Sequence, residues 1–323
     1  MNGAIIGSGH GRRVIKNAFN SLNINLIGIF SKNIKKAIYF KSNIKKYKSL
    51  DELIKDKKIE LIAIAVPAYY QVDLIYKCLL NNKIVFCEKP LTHDFSELKK
   101  INSYLKKNKK NFIVDYIFQE HNAFKKFKNI LPKKINQNSK VKVIFRLNSY
   151  NNKFKINNWK NYQNLGGGIL NLYLPHILEY LILFFGEIKK CKILTKYKNY
   201  VEIHYKFKSG LDSYIEICSD HYKKEHSVIY EDQKYKFILK NTSNDYAKGF
   251  TVNKFIKLKN KNKTFKYDDN LEHFKSDGRI FLTKKLLQNY KKKLNKNNYL
   301  KKIDNYLYIE SILDKTRNKY KLI

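Results

Sequence analysis

The stretch IVFCEKPLT, Ile84 to Thr92, begins as an apolar run suited to a buried strand and then places Glu88, Lys89 and Pro90 at its end. Proline cannot donate to a sheet ladder, so the strand must stop there, and its carboxylate and ammonium group are delivered to the sheet's rim. In open α/β sheets, ligands bind at the carboxyl ends of the strands. The first such end reads AIIGSGHGRR, with Gly7, Gly9 and Gly11 between an apolar run and a helical pattern. Glycines there permit a tight turn and let backbone N–H groups approach a pyrophosphate, which a helix N-terminus attracts. His10 and Arg12 lie in the same turn and count with it as cofactor-binding candidates. A strict G-x-G-x-x-G needs glycine at position 12, whereas Arg12 stands there and Gly11 comes one place early.

Two more strand ends refine this. GIFSKN offers Ser31 and Lys32 where an NAD site would carry an acid. A hydroxyl and an ammonium group suit a 2′-phosphate, which favours NADP(H) over NAD(H). Val66 and Pro67, in VPAYYQ, end another buried run and join the candidate cofactor contacts.

The elements that must position these residues follow from periodicity. AIIG, NLIGIF, ELIAIAVP, IVFC and FIVDYIF read as buried strands. Between them, Val14, Ala18, Phe19 and Leu22 recur at helical spacing, Ser49 with Glu52 and Asp94 with Glu97 make helix-start patterns, and Gln71 to Leu80 reads as a helix. Strand and helix alternating at this pace predict a parallel sheet with crossover helices. After about Phe118 the rhythm changes to period-two runs joined by short turns: VKVIFRLNSY, YVEIHYKFKSG, DSYIEICSD, SVIYED, KYKFILK, FIKLK and KTFKYDD. These predict an open, mainly antiparallel sheet with one face covered. Helices are expected after Asn122, after Gly168, around Ile280 to Leu294 and from Tyr306 to Lys315. The fold class is α/β: a dinucleotide-binding domain over residues 1–118, then an α+β domain over residues 119–323 for substrate binding and oligomerisation.

Composition narrows the partners. At 43% hydrophobic and 14% aromatic, the chain buries enough apolar surface to fold. The formal net charge of +39 invites a nucleic-acid reading, but arginine occurs only at Arg12, Arg13, Arg146, Arg279 and Arg317. The charge is dispersed lysine, without the arginines that make bidentate base contacts, so no nucleic-acid partner is expected. Cys78, Cys87, Cys191 and Cys218 show no CxxC spacing, so buried free thiols are expected and no metal is expected. Strand-like residues from Gly3 leave no place for a signal peptide, and the longest apolar stretch, Ile169 to Phe185, is interrupted by Asn171, Pro175, His176 and Glu179. A cytoplasmic protein without a membrane partner is expected.

The segments GSGHGR, KIVFCEKPLT, FIVDYIFQEHNAFKKFK, WKNYQNLGGGILNLYLPHILEYLILFFGE and DGRIFLTKKLL, in this order and spacing, resemble the glucose–fructose oxidoreductase / inositol dehydrogenase family over nearly the whole chain. The specific pieces are Glu88-Lys89-Pro90 and the Gly166-Gly167-Gly168 block followed by His176. The resemblance implies an N-terminal Rossmann domain, a C-terminal α+β domain with an open antiparallel sheet, and a nicotinamide held between them. That second sheet, if apolar on its outer face, would pair with a copy of itself, so a homodimer or homotetramer is expected. The family pattern also assigns roles to single residues. The resemblance implies that Lys89 hydrogen-bonds the reacting oxygen of a sugar-type substrate, that His176 is its catalytic partner, and that a cis Lys89–Pro90 bond aims the lysine. Trp159 is implied beside the cofactor, and Lys160, Gln119 and Leu172 beside the substrate. Hydride leaves a carbinol carbon only as the hydroxyl proton leaves, so a base and a cation suit that chemistry. Leu172 departs from the pattern, because an acid is common four residues before the histidine and leucine cannot relay a proton. Gln71 and Gln119 stand where a histidine and an arginine are common. Two functions therefore remain: an NAD(P)-dependent oxidoreductase acting on a sugar, sugar nucleotide or polyol, and a nucleotide-binding sensor of the same fold with impaired catalysis.

Overall fold

The computed structural model describes residues 1–32, 40, 43–108, 111–135, 138–267, 270–293 and 300–321. Leu294 and residues 268–269 of the expected KTFKYDD strand lie outside the described residues. The chain divides into two compact units. The first comprises Met1–Ile117, Asn164–Gly166 and Arg279–Glu310; the second comprises Phe118–Gln163, Gly167–Gly278 and Ser311–Ile323.

In the first unit six strands form one sheet: β1 (Asn2–Ile6), β2 (Asn25–Phe30), β3 (Lys45–Lys46), β4 (Leu61–Ile64), β5 (Ile84–Cys87) and β6 (Phe112–Val114). Every pairing is parallel and the order is β3-β2-β1-β4-β5-β6. The order reverses between β1 and β4, which opens a crevice at their carboxyl ends. The expected helix starts have the expected chemistry. The Ser49 hydroxyl accepts the Glu52 N–H at the head of Leu50–Lys55, and the Asp94 carboxylate accepts the Ser96 N–H at the head of Phe95–Lys100. The helix Gln71–Leu80 has the bounds that its periodicity predicts.

One expectation needs correction. Residues 279–310, assigned from sequence to the second domain, group with the first unit. The cause is hydrophobic: Leu286, Leu287 and Tyr290 of the helix Gly278–Lys293 enter the core cluster that holds Ile5, Phe19, Leu61 and Phe86. Further along, the ring of Tyr306 lies 5.6 Å from that of Tyr116, and the buried carboxylate of Glu310 accepts the Leu91 N–H at 2.7 Å. This segment cushions the underside of the sheet and braces the chain just after Pro90.

The second unit is built on an eight-stranded sheet, β14-β13-β12-β11-β7-β10-β9-β8. Its strands are β7 (Lys140–Asn148), β8 (Ile188–Tyr197), β9 (Tyr200–Phe207), β10 (Asp212–Cys218), β11 (Asp220–Glu231), β12 (Tyr235–Asn241), β13 (Phe250–Ile256) and β14 (Lys261–Thr264). All pairings are antiparallel except β7 with β10, which is why the sheet is mainly and not wholly antiparallel. Val141, Val143 and Phe145 of β7, Val201, Ile203 and Tyr205 of β9, and Val228 and Tyr230 of β11 are buried on one face. The helix Gly168–Phe185 packs on β9 and β10, and Asn122–Ile130 packs on β12 and β13. The opposite face is polar: Arg146 is bidentate to Glu216, His204 and Lys206 share Asp212, and Tyr200 and Thr195 both donate to Glu202.

The helix Gly168–Phe185 runs through Pro175. By length and composition it could cross a membrane, but two-thirds of it is buried within the protein (67%). Cys78, Cys87 and Cys218 are buried free thiols, as expected, and Cys191 is partly exposed. Burial pushes the Cys78 thiol up to about 12 and Cys87 well above its ordinary value, so neither supplies a nucleophile at neutral pH.

Candidate active site

The three glycines after β1 have three separate reasons. Gly7 sits at φ +109, and a Cβ there would stand 2.2 Å from the Ala65 carbonyl oxygen. Its N–H continues the ladder to the Phe30 carbonyl at 2.9 Å. Gly11 lets the helix close on β1, since a Cβ would meet the Ile5 side chain at 2.5 Å. Around Gly9 nothing lies within 4 Å of an added Cβ, so the turn is open at the place where a pyrophosphate would approach. The early third glycine is thereby explained. The helix opens with a π-type turn, Gly11–Ile15, in which the Lys16 N–H reaches the Gly11 carbonyl. That wider turn absorbs the residue by which the sequence misses the usual spacing. Arg12 stands on the turn's outer side, partly exposed.

At the end of β2, the Ser31 hydroxyl meets the Ser8 hydroxyl at 3.0 Å, joining the two turns that would flank an adenosine ribose. The Lys32 ammonium lies 4.2 Å above the Tyr70 ring, a cation–π contact that holds it at the rim. Val66 and Pro67 follow β4, and Pro67 heads the short helical turn Ala68–Tyr70. Gly166, at φ +82, lies against that turn, where a Cβ would stand 2.5 Å from the Ala68 Cβ.

The ends of β5 and β6 carry the charged groups. The Lys89–Pro90 peptide bond is cis. Glu88 Oε1 lies 2.8 Å from His10 Nε2, and Asp115 Oδ2, just past β6, lies 3.6 Å from the same nitrogen. Burial works against charge on His10, but the Glu88 charge and the contacts with Asp115 and Glu88 outweigh it and raise the imidazole to about 9. Burial alone would raise Glu88, yet the charges of His10 and Lys89 bring it down to about 2. Burial and the Glu88 charge push Asp115 up to about 7, with His10 offsetting part of the rise. The cluster is therefore an imidazolium, a carboxylate and a carboxylic acid below neutral pH. Asp115 was not singled out from sequence, although an acid closing the buried run FIVD was the available signal. Gln71 was noted only as a departure. It is 1% exposed, its amide donates to the Pro90 carbonyl at 2.8 Å, and its oxygen accepts the Cys87 thiol. The side chain is thus committed to holding the strand tip.

In the second unit, His176 lies on the buried side of its helix, 5% exposed, with the Phe118 ring edge-on at 5.3 Å and Tyr246 at 6.2 Å. Leu172, one turn earlier, is partly exposed, and Gln119 lies in the helical turn Ile117–Glu120. Asn171 beside it is structural: it donates to the Gly167 carbonyl and accepts from Arg317. Trp159 and Lys160 form a short turn whose backbone closes on Gly167, where a Cβ would stand 2.3 Å from the Trp159 carbonyl oxygen. In the first unit, then, the structure gathers the glycine turn, Ser31, Lys32, Val66, Pro67, Glu88 and Lys89 along the strand ends. In the second it gathers Trp159 and Lys160 with the helix head, and His176 with Phe118.

A parallel sheet in this order, with an open glycine turn after its first strand, defines a dinucleotide-binding protein. Residues 1–116 match the model of the Gfo/Idh/MocA group, described as an oxidoreductase family with an NAD-binding Rossmann fold. The match is confined to this N-terminal domain, about a third of the chain. A sequence relative is an uncharacterized oxidoreductase of Schizosaccharomyces pombe, 29% identical over 147 residues, which are 45% of this chain and 38% of the relative. The chain spans about two-fifths to half the length of the curated relatives it matches. Among solved structures, a 3-ketoreductase from Actinomadura kijaniata in complex with NADP and TDP-benzene matches with a TM-score of 0.79 at 13% identity, covering 99% of this chain and 97% of that one. A UDP-N-acetylglucosamine 3-dehydrogenase from Acidithiobacillus ferrooxidans matches with a TM-score of 0.75 at 12% identity, over 99% and 97%. The two-domain fold is shared over essentially the full chain.

Proposed function

We propose that the chain is an NAD(P)-dependent oxidoreductase that moves a hydride between a nicotinamide and a carbinol carbon of a sugar, sugar nucleotide or polyol. The observation that carries this reading is the placement of Glu88-Lys89-Pro90 at the end of β5, on the same rim as the open glycine turn. A pyridine nucleotide fits that rim, since Gly9 leaves space for the pyrophosphate and the strand order reverses beside it. When bound, the nicotinamide supplies or accepts the hydride. Lys89 donates a hydrogen bond to the reacting oxygen and steadies negative charge on it, and His176 exchanges the hydroxyl proton. Ser31 and Lys32 favour the 2′-phosphate of NADP(H) over the bare ribose of NAD(H). Two solved relatives, a 3-ketoreductase and a sugar-nucleotide 3-dehydrogenase, support a carbohydrate substrate. The same reading places the protein in the cytoplasm, with a small-molecule substrate and self-association as a homodimer or homotetramer.

Leu172 favours the sensor alternative, because nothing acidic stands one turn before His176. A Lys89→Met variant separates the two readings. For an enzyme, turnover falls about 10²–10⁴-fold while NADPH binding persists. Wild-type protein that binds NADPH yet turns over none of a panel of sugars and sugar nucleotides is a sensor. A thermal-shift screen with NAD(H), NADP(H) and then sugar nucleotides finds the ligands, because binding to the native state raises its apparent stability.

A further inference from the structure

We propose that His10 is a positioning residue: as an imidazolium it clasps the Glu88 carboxylate, with Asp115 as third member, and so ties the glycine turn after β1 to the strand tip that carries Lys89. This rests on the oxidoreductase reading and deepens it. The geometry is specific. His10 Nε2 lies 2.8 Å from Glu88 and 3.6 Å from Asp115, so one side chain of the first turn reaches the ends of β5 and β6 together. Asp115 is 4% exposed, and its carboxyl also meets the Thr283 hydroxyl at 3.4 Å, which fixes the far side of the cluster. Glu88 and Lys89 are adjacent, so whatever fixes the carboxylate fixes the departure of the lysine from the strand.

Among the described residues, the groups that face the cluster are few. Glu88, with Lys89 and the Cys87 thiol beside it, comes from β5; Asp115 comes from β6; Glu310 comes from the terminal helix behind Leu91. His10 is the cation that the cluster itself supplies, and it sits between two acids. With Asp115 protonated, the triad is neutral. Once that proton leaves, the triad carries a net negative charge beside the turn that would receive a pyrophosphate, and once the imidazolium is lost the clasp is gone. Cofactor affinity is therefore set by a proton held out of sight of the substrate.

The test uses the full-length protein in buffer with a chelator, so that no cation stands in for the imidazolium. The Kd for NADPH is measured from pH 6 to 9 for the wild type, His10→Gln and Asp115→Asn, and the His10 imidazole is followed by NMR without cofactor. Wild-type Kd is expected to weaken about tenfold across that range. His10→Gln is expected to bind about tenfold more weakly at pH 6 and to lose the part of the pH dependence that lies above pH 8, whereas Asp115→Asn abolishes the fall between pH 6 and 8. The imidazole resonance is expected to stay in its protonated position past pH 8 and to titrate lower in Glu88→Gln. An imidazole that titrates at the ordinary value and ignores Glu88→Gln overturns the clasp, as does a wild-type Kd that is flat with pH. Should His10→Gln not fold, the wild-type, Asp115→Asn and Glu88→Gln measurements still decide. A wild type with an intact clasp by NMR that binds no pyridine nucleotide overturns the oxidoreductase reading, and with it the positioning role alone.

Discussion

The side-chain amide of Gln71 donates to the carbonyl oxygen of Pro90 across 2.8 Å, while its oxygen accepts the thiol of Cys87. The residue that opens the helix after β4 thus brackets the tip of β5 on both sides of Glu88 and Lys89. Replacing it by alanine takes this donor from the buried Pro90 carbonyl, at about 1–3 kcal/mol in the low-polarity interior, and leaves the Cys87 thiol with the Glu88 carbonyl at 3.4 Å. Gln71→Ala is expected to lower the unfolding midpoint in denaturant without changing its slope. In a turnover assay kcat falls more than KM rises, because the tip that orients Lys89 loosens while the substrate surface is untouched. A variant as stable as the wild type removes Gln71 from the tip's support.

The glycine turn makes a prediction with internal controls. Alanine at Gly9 meets nothing within 4 Å, so it leaves the fold alone and fills the space a pyrophosphate needs. Alanine at Gly11 pushes into Ile5 at 2.5 Å, and alanine at Gly7 adds a clash with backbone to a positive φ. Melting curves and NADPH titrations are expected to split the three. Gly9→Ala keeps its Tm and loses at least tenfold in affinity, whereas Gly7→Ala and Gly11→Ala lose Tm first. Equal Tm losses at all three positions contradict the assignment of Gly9 to the ligand.

How far the sequence could reach is visible in the same residues. Strand ends were legible because a buried parallel strand is a continuous apolar run, and Pro67 and Pro90 mark where two of them stop. Helix starts at Ser49 and Asp94 were legible because capping is a local interaction. The partnership of His10, Glu88 and Asp115 was not legible. It depends on the spatial order of β1, β5 and β6, which no local pattern encodes, although each residue could be seen at the end of its own run. The early third glycine looked like a flaw, because a π-type opening turn leaves no periodic trace of one extra residue. The assignment of residues 279–310 failed for a related reason: an apolar helix face at Leu286 and Leu287 states that it will be covered, and not by which sheet.

The helix Gly278–Lys293 supports the sheet in a way that can be measured. Leu286 is 1% exposed and packs into the cluster of Ile5, Phe19 and Phe86. Leu286→Ala removes buried methyl groups and leaves a cavity, at roughly 2–5 kcal/mol. Hydrogen exchange is expected to rise in β1, β4 and β5, while the strands β9 to β12 of the second unit keep their protection. Increased exchange confined to β9–β12 contradicts the grouping.

Asp115 sets a pH dependence of stability whose sign follows from its raised value. With an ordinary value of 3.8 and about 7 in the fold, it favours the native state fully below 3.8, and this contribution is lost as pH rises through 7. The full swing is at most about 4 kcal/mol, with His10 contributing its own loss later, as pH climbs from 6.5 through about 9. Asp115→Asn cannot lose that proton. Its Tm is expected to exceed the wild type's at pH 8 and to approach it near pH 4. Parallel curves for the two proteins across that range contradict the assignment.

His226 gives the opposite slope in the second unit. Its ring is enclosed by Phe118, Phe124, Phe145 and Phe250, and its Nε2 meets the Tyr180 hydroxyl at 3.1 Å. Burial in this aromatic shell, with help from the charges of Lys224 and His121, holds it down at about 3 against an ordinary 6.5. The unfolded chain therefore takes up a proton that the native state refuses. Stability is present above pH 6.5 and falls as pH drops toward 3, by up to about 5 kcal/mol. His226→Phe removes the titrating group while filling the shell with a ring of similar size, at the cost of a bond to Tyr180. Between pH 6.5 and 4 the second unit of the variant is expected to lose less stability than that of the wild type, read as a shallower fall of Tm with acid. An unchanged acid slope places the proton uptake elsewhere in the molecule.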